Sequence, residues 1–229
     1  KVADPATGAV RDVEAREIAG VKSEGILVSE AELGLTGDHS GLIVFGDDAV
    51  PGKSVTPLVG EPDTILEIDN KSLTHRPDLW CHLGFARELS AILGKKLKVS
   101  PDRWADDGEA GAKLLAGLGS GKSKFTIKVD AATKSKRFTA IEIDGVKVEK
   151  SPLWLRRRLS SVGGGVRNLL VDLSNYVMHD IGQPNHVYDA EMLKGTTVSA
   201  RMAKAGEKFT GLDGVERELT VEDVVIADE

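Results

Sequence analysis

Apolar residues recur at helical spacing over residues 77–93. Leu79, Leu83, Ala86, Leu89 and Leu93 share one stripe, widened by Phe85 and Ile92. Pro77 suits a first turn, and Gly94 followed by Lys95-Lys96 suits a C-terminus, so the spacing predicts one helix across the stretch. A second helix is predicted over 152–159, with Ser151 as its N-cap and Pro152 at its first position. Ser29 with Glu32 three residues on has capping-box spacing and predicts one short helical turn. Alternation over 124–129 predicts a strand, and 138–148 a strand region turning at Asp144-Gly145. Apolar runs at 10–18, 41–45, 64–68, 169–173 and 196–202 read as further strands, with turn and loop over 46–62. Residues 208–220 read as a hairpin around Asp213-Gly214. Strands and helices mix without βαβ regularity, so the expected class is α+β, with mixed, mainly antiparallel sheets and a few helices.

The length of 229 residues allows one or two domains with a real core. A single cysteine, Cys81, permits no internal disulfide and no cysteine-based zinc site. The apolar runs fall short of the ~20 residues a membrane span needs. The opening residues show no basic region followed by an apolar core, so neither a signal peptide nor a membrane partner is expected. A reducing, cytoplasmic setting follows. Lys1 is an unusual start beside a strand already under way, which predicts a piece cut from a longer polypeptide.

A net charge of −6 argues against a general nucleic-acid binder, but the distribution is uneven. Residues 1–70 carry 5 basic against 14 acidic side chains, 71–160 carry 19 against 10, and 161–229 carry 6 against 12. The middle either presents a basic face or is a solvated surface with a different bias. Residues 116–123 nearly spell a phosphate-binding loop, with Ala116 in place of its first glycine. Such a loop needs a strand before it and a helix after it. Here the order is reversed, and 99–123 reads as a linker.

The densest polar stretch runs over 172–189. Ser174 and Asn175 supply a hydroxyl and an amide, and Gln183, His186 and Asp189 lie in or beyond a Gly-Gln-Pro turn. Gly182 allows an unusual backbone angle and Pro184 fixes a later one, so the turn can return His186 over residues 174–175. His186 bonding only within its own turn is the plainer alternative. Ser174 has no Gly-x-Ser-x-Gly elbow, so a serine nucleophile is disfavoured. His179, His186 and nearby aspartates form no metalloprotease helix pattern.

Ser174-Asn175-Tyr176-Val177-Met178, then Gly182-Gln183-Pro184-Asn185-His186-Val187-Tyr188-Asp189, closely resembles the editing signature of the bacterial phenylalanyl-tRNA synthetase beta-subunit family. Arg76-Pro77-Asp78, Gly84-Phe85-Ala86-Arg87-Glu88-Leu89, Ser151-Pro152-Leu153-Trp154-Leu155 and Leu212-Asp213-Gly214 extend the resemblance along the chain. It implies that 1–45 resembles the end of a tRNA-binding OB-type domain, 46–98 a strand-helix linking segment, 99–123 a linker, and 124–229 the first part of an editing domain. It further implies an α2β2 ligase that uses ATP and magnesium in its alpha subunit, with no cofactor in this piece. Its partners are then the alpha subunit and tRNA(Phe).

The resemblance implies hydrolysis of tyrosine wrongly attached to that tRNA. His186 matches the family's editing histidine, orienting the terminal ribose or the attacking water. Ser174 and Asn175 match its polar pair, with Gln183 and Pro184 beside them in the substrate-binding turn. Ser174 stands for the usual threonine, Tyr188 for phenylalanine, and the pocket's downstream segments lie past Glu229, so part of an editing apparatus is expected. Two other functions stay open: a non-catalytic tRNA-docking or assembly module using Arg156, Arg157, Arg158, Lys134, Lys136 and Arg137, and a free-standing deacylase acting in trans.

Overall fold

A computed structural model describes residues 1–47, 49–60, 62–98, 113, 116–117 and 121–229. Of the linker expected over 99–123, residues 99–112, 114–115 and 118–120 lie outside them, which takes in the middle of its near-phosphate loop. The chain forms two compact units, one of residues 1–97 and 147–187, the other of residues 98–146 and 188–229. Its class is α+β, with chiefly antiparallel pairing among the described residues.

The first unit opens with two small ribbons. β1 (Val2–Ala3) pairs antiparallel with β2 (Val10–Arg11), and β3 (Arg16–Ile18) with β4 (Val21–Ser23) across a two-residue turn. The single strand expected over 10–18 is therefore two short ones. Ser29 and Glu32 form the predicted capping box. The Ser29 amide donates to the Glu32 carboxylate at 2.8 Å, and the Glu32 amide donates to the Ser29 hydroxyl at 3.3 Å.

Four helices have both ends among the described residues. α1 (Thr56–Val59) is a single turn. α2 (His82–Leu93) is shorter than the periodicity predicts, because residues Pro77–Leu79 form a separate 3-10 turn. The break is closely packed. A Cβ at Gly84 would sit 1.6 Å from the Asp78 carbonyl oxygen, so the 3-10 turn lies directly against the helix start. Cys81, in extended backbone, caps α2 by accepting the Gly84 amide at 3.2 Å. α3 (Leu153–Ser161) begins one residue later than expected, with Pro152 as its N-cap; the Ser151 hydroxyl is bonded elsewhere. α4 (Leu169–Ile181) overturns the strand expected over 169–173. Five apolar residues do not separate a strand from a buried helix start. Asn168 decides it locally: its side chain accepts the Leu170 and Val171 amides at 3.2 and 3.1 Å, an N-cap.

The core of this unit includes α3, where Leu155 and Leu159 are fully buried, and Leu79, 2% exposed. Across α3 and α4, Trp154 and Tyr176 meet edge to face, their ring centres 5.6 Å apart. A charged cluster joins the same core. Arg156 and Glu30, 7% and 5% exposed, form an ion pair, and Arg156 Nε also donates to the Ser151 carbonyl at 2.8 Å. Glu30 further accepts Thr36 Oγ1 at 2.9 Å and Lys150 at 3.3 Å. Burial works against the Glu30 charge, but hydrogen bonds from Arg156, Thr36 and Lys150 outweigh it and hold the carboxyl below its ordinary range. Lys150 also bridges to Asp38 at 2.8 Å. The hydrogen bond from Lys150, with those from Ser40, strongly favours the charged form of Asp38.

In the second unit, β5 (Thr126–Val129), β6 (Thr197–Met202) and β9 (Val224–Ala227) form one sheet in the order β5-β6-β9, parallel then antiparallel. Val198 and Ala200, two residues apart and so on one face of the central strand, are buried. β7 (Lys208–Thr210) and β8 (Glu216–Glu218) make the hairpin expected around Asp213-Gly214. The strands predicted over 41–45, 64–68 and 138–148 do not form. No strand lies beside them among the described residues, and Val44, Leu66 and Ile143 are 87, 74 and 71% exposed. Strand propensity alone, without a ladder or a face to bury, does not hold a strand.

Removing the Glu30 carboxylate strands Arg156 in the core. Glu30→Ala is expected to destabilise the unit by about 3–5 kcal/mol, whereas the double change Glu30→Leu with Arg156→Met recovers most of that loss. Urea midpoints followed by tryptophan fluorescence check both.

In the second unit, hydrogen bonds from Arg201 and then from the Lys204 amide lower the Glu207 carboxyl from an ordinary 4.5 to about 2. A depressed folded value stabilises above the unfolded one. The contribution is therefore complete above about pH 5 and is lost as pH falls towards 2. Glu207→Gln flattens that limb of an acid-stability profile.

Candidate functional site

Residues 172–187 of the first unit form one anchored helix followed by one anchored turn. Asp172, in the first turn of α4, is 0% exposed. It accepts the Ser151 hydroxyl through one oxygen and the Arg167 amide at 2.8 Å through the other. Its carboxylate is thus satisfied within the protein and fixes where α4 begins.

Ser174 and Asn175 follow within the next half-turn, both half-buried. At the far end, Gly182 caps the helix in left-handed backbone at φ 73°, its amide donating to the Met178 carbonyl at 2.9 Å. A Cβ there would lie 3.1 Å from Cys81 Sγ, so α4 ends against the N-cap of α2. His82 Nδ1 lies 2.8 Å from the His179 carbonyl oxygen and ties the same helix ends together.

The chain then doubles back. Ser174 Oγ donates to the Asn185 carbonyl at 3.0 Å, and Asn185 Nδ2 donates to the Ser174 carbonyl at 3.3 Å. These two reciprocal bonds clasp the turn to the helix across eleven residues. Asn185 Nδ2 also reaches the Gln183 carbonyl at 3.4 Å, and Gln183 Nε2 reaches the Pro184 carbonyl at 3.2 Å. Gln183, Pro184 and His186 are exposed. His186 is the residue after the clasp.

The clasp joins a hydroxyl and an amide, Ser174 and Asn185, with Asn175, Gln183 and His186 next to them in the chain. The Ser174 proton is committed to a main-chain carbonyl rather than to an imidazole, which is not how a serine nucleophile is activated. Among the described residues, no three His, Cys, Asp or Glu side chains gather as a metal site would require. Sequence reasoning passed over Asn185, whose turn-forming character after proline was its one local signal. It passed over the Ser151–Asp172 bond as well, a contact across 21 residues with no local signature.

Residues 134–229 match the B3/4 domain family. Beyond that match, the chain is 42% identical over 212 residues to the phenylalanine–tRNA ligase beta subunit of Solibacter usitatus, covering 92% of this chain and 25% of that protein. The corresponding subunit of Carboxydothermus hydrogenoformans is 39% identical over 220 residues, covering 94% of this chain and 26% of its own length. That of Anaeromyxobacter dehalogenans is 35% identical over 212 residues, or 93% and 25%. Over nearly its whole length the chain is thus similar to phenylalanine–tRNA ligase beta subunits. It spans about a quarter of the length of the curated relatives it matches. The B3/4 match takes in the clasped turn, and α4 lies inside it.

Gly182→Ala combines an unfavourable φ with a contact against Cys81, and is expected to cost about 1–3 kcal/mol. Cys81→Ala removes the sulfur contact but also the α2 cap, and it leaves the Cys81 Cβ contact at 3.2 Å, so the relief shows as a double-variant loss smaller than the sum of the two single losses. Urea midpoints of the two single variants and the double variant measure both parts.

Proposed function

We propose that the chain is part of a phenylalanine–tRNA ligase beta subunit, supporting phenylalanylation of tRNA and contributing one wall of a site that hydrolyses Tyr-tRNA(Phe). The reading divides the chain into an OB-type piece over 1–45, a linking segment over 46–98, a linker over 99–123 and the first part of an editing domain over 124–229. The partners are the alpha subunit, in an α2β2 assembly, and tRNA(Phe), in the cytoplasm. ATP and magnesium serve aminoacylation in the alpha subunit. No helix among the described residues is long and apolar enough to cross a membrane.

The observation that carries the editing role is the Ser174–Asn185 clasp. It fixes the turn that ends in His186 against the helix that carries Ser174 and Asn175. A pocket shaped for phenylalanine rejects an added hydroxyl weakly, so a second, polar site is needed to read it. Here Asn175, Ser174 and Gln183 hold the amino-acid moiety or the 3′ end of the tRNA, with Pro184 shaping the turn. His186 orients the terminal ribose or the attacking water. The water oxygen adds to the ester carbonyl, the carbonyl–ribose bond breaks, and the ribose oxygen leaves with a proton. No acyl-serine forms, in keeping with the donor role of the Ser174 hydroxyl.

In the intact ligase, His186→Ala is expected to slow Tyr-tRNA(Phe) hydrolysis by about 10²-fold or more, with phenylalanylation unchanged. Ser174→Ala, which also loosens the clasp, has a smaller effect in the same direction. Single-turnover deacylation of preformed Tyr-tRNA(Phe) measures both, and wild-type hydrolysis in His186→Ala removes the histidine from the reading.

A further inference from the structure

The basic excess in the middle of the sequence lies on two stretches of unequal availability. Of the three consecutive arginines on α3, Arg156 is buried against Glu30, and Arg157 NH1 donates to the Val59 carbonyl at 2.8 Å. Arg158 alone of the three is exposed. The run is therefore largely structural.

Residues 122–137 of the second unit differ. They carry Lys122, Lys124, Lys128, Lys134, Lys136 and Arg137 against the single acid Asp130. All six basic residues are exposed, and among the described residues none has an ion pair within 4 Å. The neighbouring carboxylates have other partners. Asp130 caps the 3-10 turn Ala131–Thr133 by accepting the Ala132 amide. Glu142 accepts the Ser123 hydroxyl and the Lys124 amide. Glu229 is bonded by Thr197, with Lys128 nearby. Elsewhere in the unit, residues 188–229 carry 5 basic against 10 acidic side chains. There Arg201, Lys208 and Arg217 are each paired, at 2.6 Å, with Glu207, Glu216 and Asp213. Positive charge is segregated onto one stretch while the rest of the unit is acidic or self-neutralised.

That stretch lies at an open border. β5 pairs with β6 on one side, and no described strand lies on its other side. The basic residues begin before β5, continue on it at Lys128, and resume after the 3-10 turn at Lys134, in left-handed backbone. Lysines on an edge strand can serve only to prevent edge-to-edge pairing. That purpose does not extend to Lys134, Lys136 and Arg137, which lie past the strand. Protein interfaces are depleted in lysine and need an apolar centre, and the one aromatic here, Phe125, is half-buried with Lys124 over its ring at 5.0 Å. A stretch of exposed cations without ion-pair partners or an apolar anchor fits a phosphate backbone.

We propose that residues 122–137 form a sequence-independent contact surface for the phosphate backbone of tRNA, separate from the Ser174–His186 turn. The proposal rests on the reading that the chain serves a tRNA ligase.

The test uses the intact ligase with all six residues changed to Gln (K122Q, K124Q, K128Q, K134Q, K136Q and R137Q), a second ligase with the five lysines changed to Arg, and His186→Ala. Binding of tRNA(Phe) is followed by fluorescence anisotropy between 50 and 300 mM salt. In the Gln variant, the slope of log K against log salt is expected to shrink by about 2 or more, and affinity near 0.15 M salt to fall about tenfold or more. The Arg variant keeps the wild-type slope, and His186→Ala keeps both slope and affinity while losing hydrolysis.

A wild-type slope in the Gln variant overturns the proposal, whether the variant stays soluble, aggregates as an unguarded edge would, or loses the alpha subunit as a protein-docking surface would. An equal loss in the Arg variant overturns it too, since a requirement for lysine itself is not backbone electrostatics. Failure of the wild-type ligase to bind tRNA(Phe) would instead remove the ligase reading. Loss of slope together with intact editing in His186→Ala would uphold this surface and remove the editing site.

Discussion

The first unit is organised around a charge taken out of water. Arg156 lies on a helix whose neighbours Leu155 and Leu159 are the most buried apolar side chains of the core, and it is itself almost wholly out of water. Unpaired, it would cost several kcal/mol. Glu30 neutralises it, and Glu30 is itself held by Thr36 and Lys150. The capping box at Ser29 and Glu32 fixes the turn from which Glu30 projects. A local turn near the start of the chain and a helix more than a hundred residues later are thus required to occupy one place. Arg156 also grips the Ser151 carbonyl, and Ser151 grips Asp172, so the constraint passes from α3 into α4.

The candidate site inherits its precision from that relay. α4 is fixed at its start by Asn168 and Asp172 and at its end by Gly182 seated on Cys81. Only then does the clasp between Ser174 and Asn185 become informative, because both partners are held from outside. The exposed residues of the turn have a rigid base, which suits a site built to position a substrate and a water molecule rather than to supply a nucleophile.

Charge divides the basic stretches by role. The arginines of α3 are mostly consumed in holding the fold, while the lysines of 122–137 meet water with no carboxylate committed to them. A count of basic residues treats the two alike. Burial separates them, since a buried guanidinium must find its partners inside the protein and an exposed ammonium can exchange water for an external anion.

Local signals determined much of this protein. The capping box, the helix of α3 to within a residue, the strands at 126–129 and 197–202 and the hairpin around Asp213-Gly214 were legible because each depends on neighbours a few residues away. The polar stretch at 172–189 and the left-handed Gly182 were legible for the same reason. Tertiary structure decided the rest. Residues 169–173 are helix because Asp172, held by the distant Ser151, fixes in place the start that Asn168 caps locally. Residues 41–45, 64–68 and 138–148 are not strands because nothing pairs with them among the described residues. Ser151 turned from a helix cap into a partner of Asp172, Arg156 from a surface cation into a core one, and Asn185 from a turn residue into half of the clasp. Periodicity and capping act over one or two turns and are written in order along the chain. A buried charge, a ladder or a clasp has no energy until its partner arrives from a distant segment, and only the folded structure brings the two together.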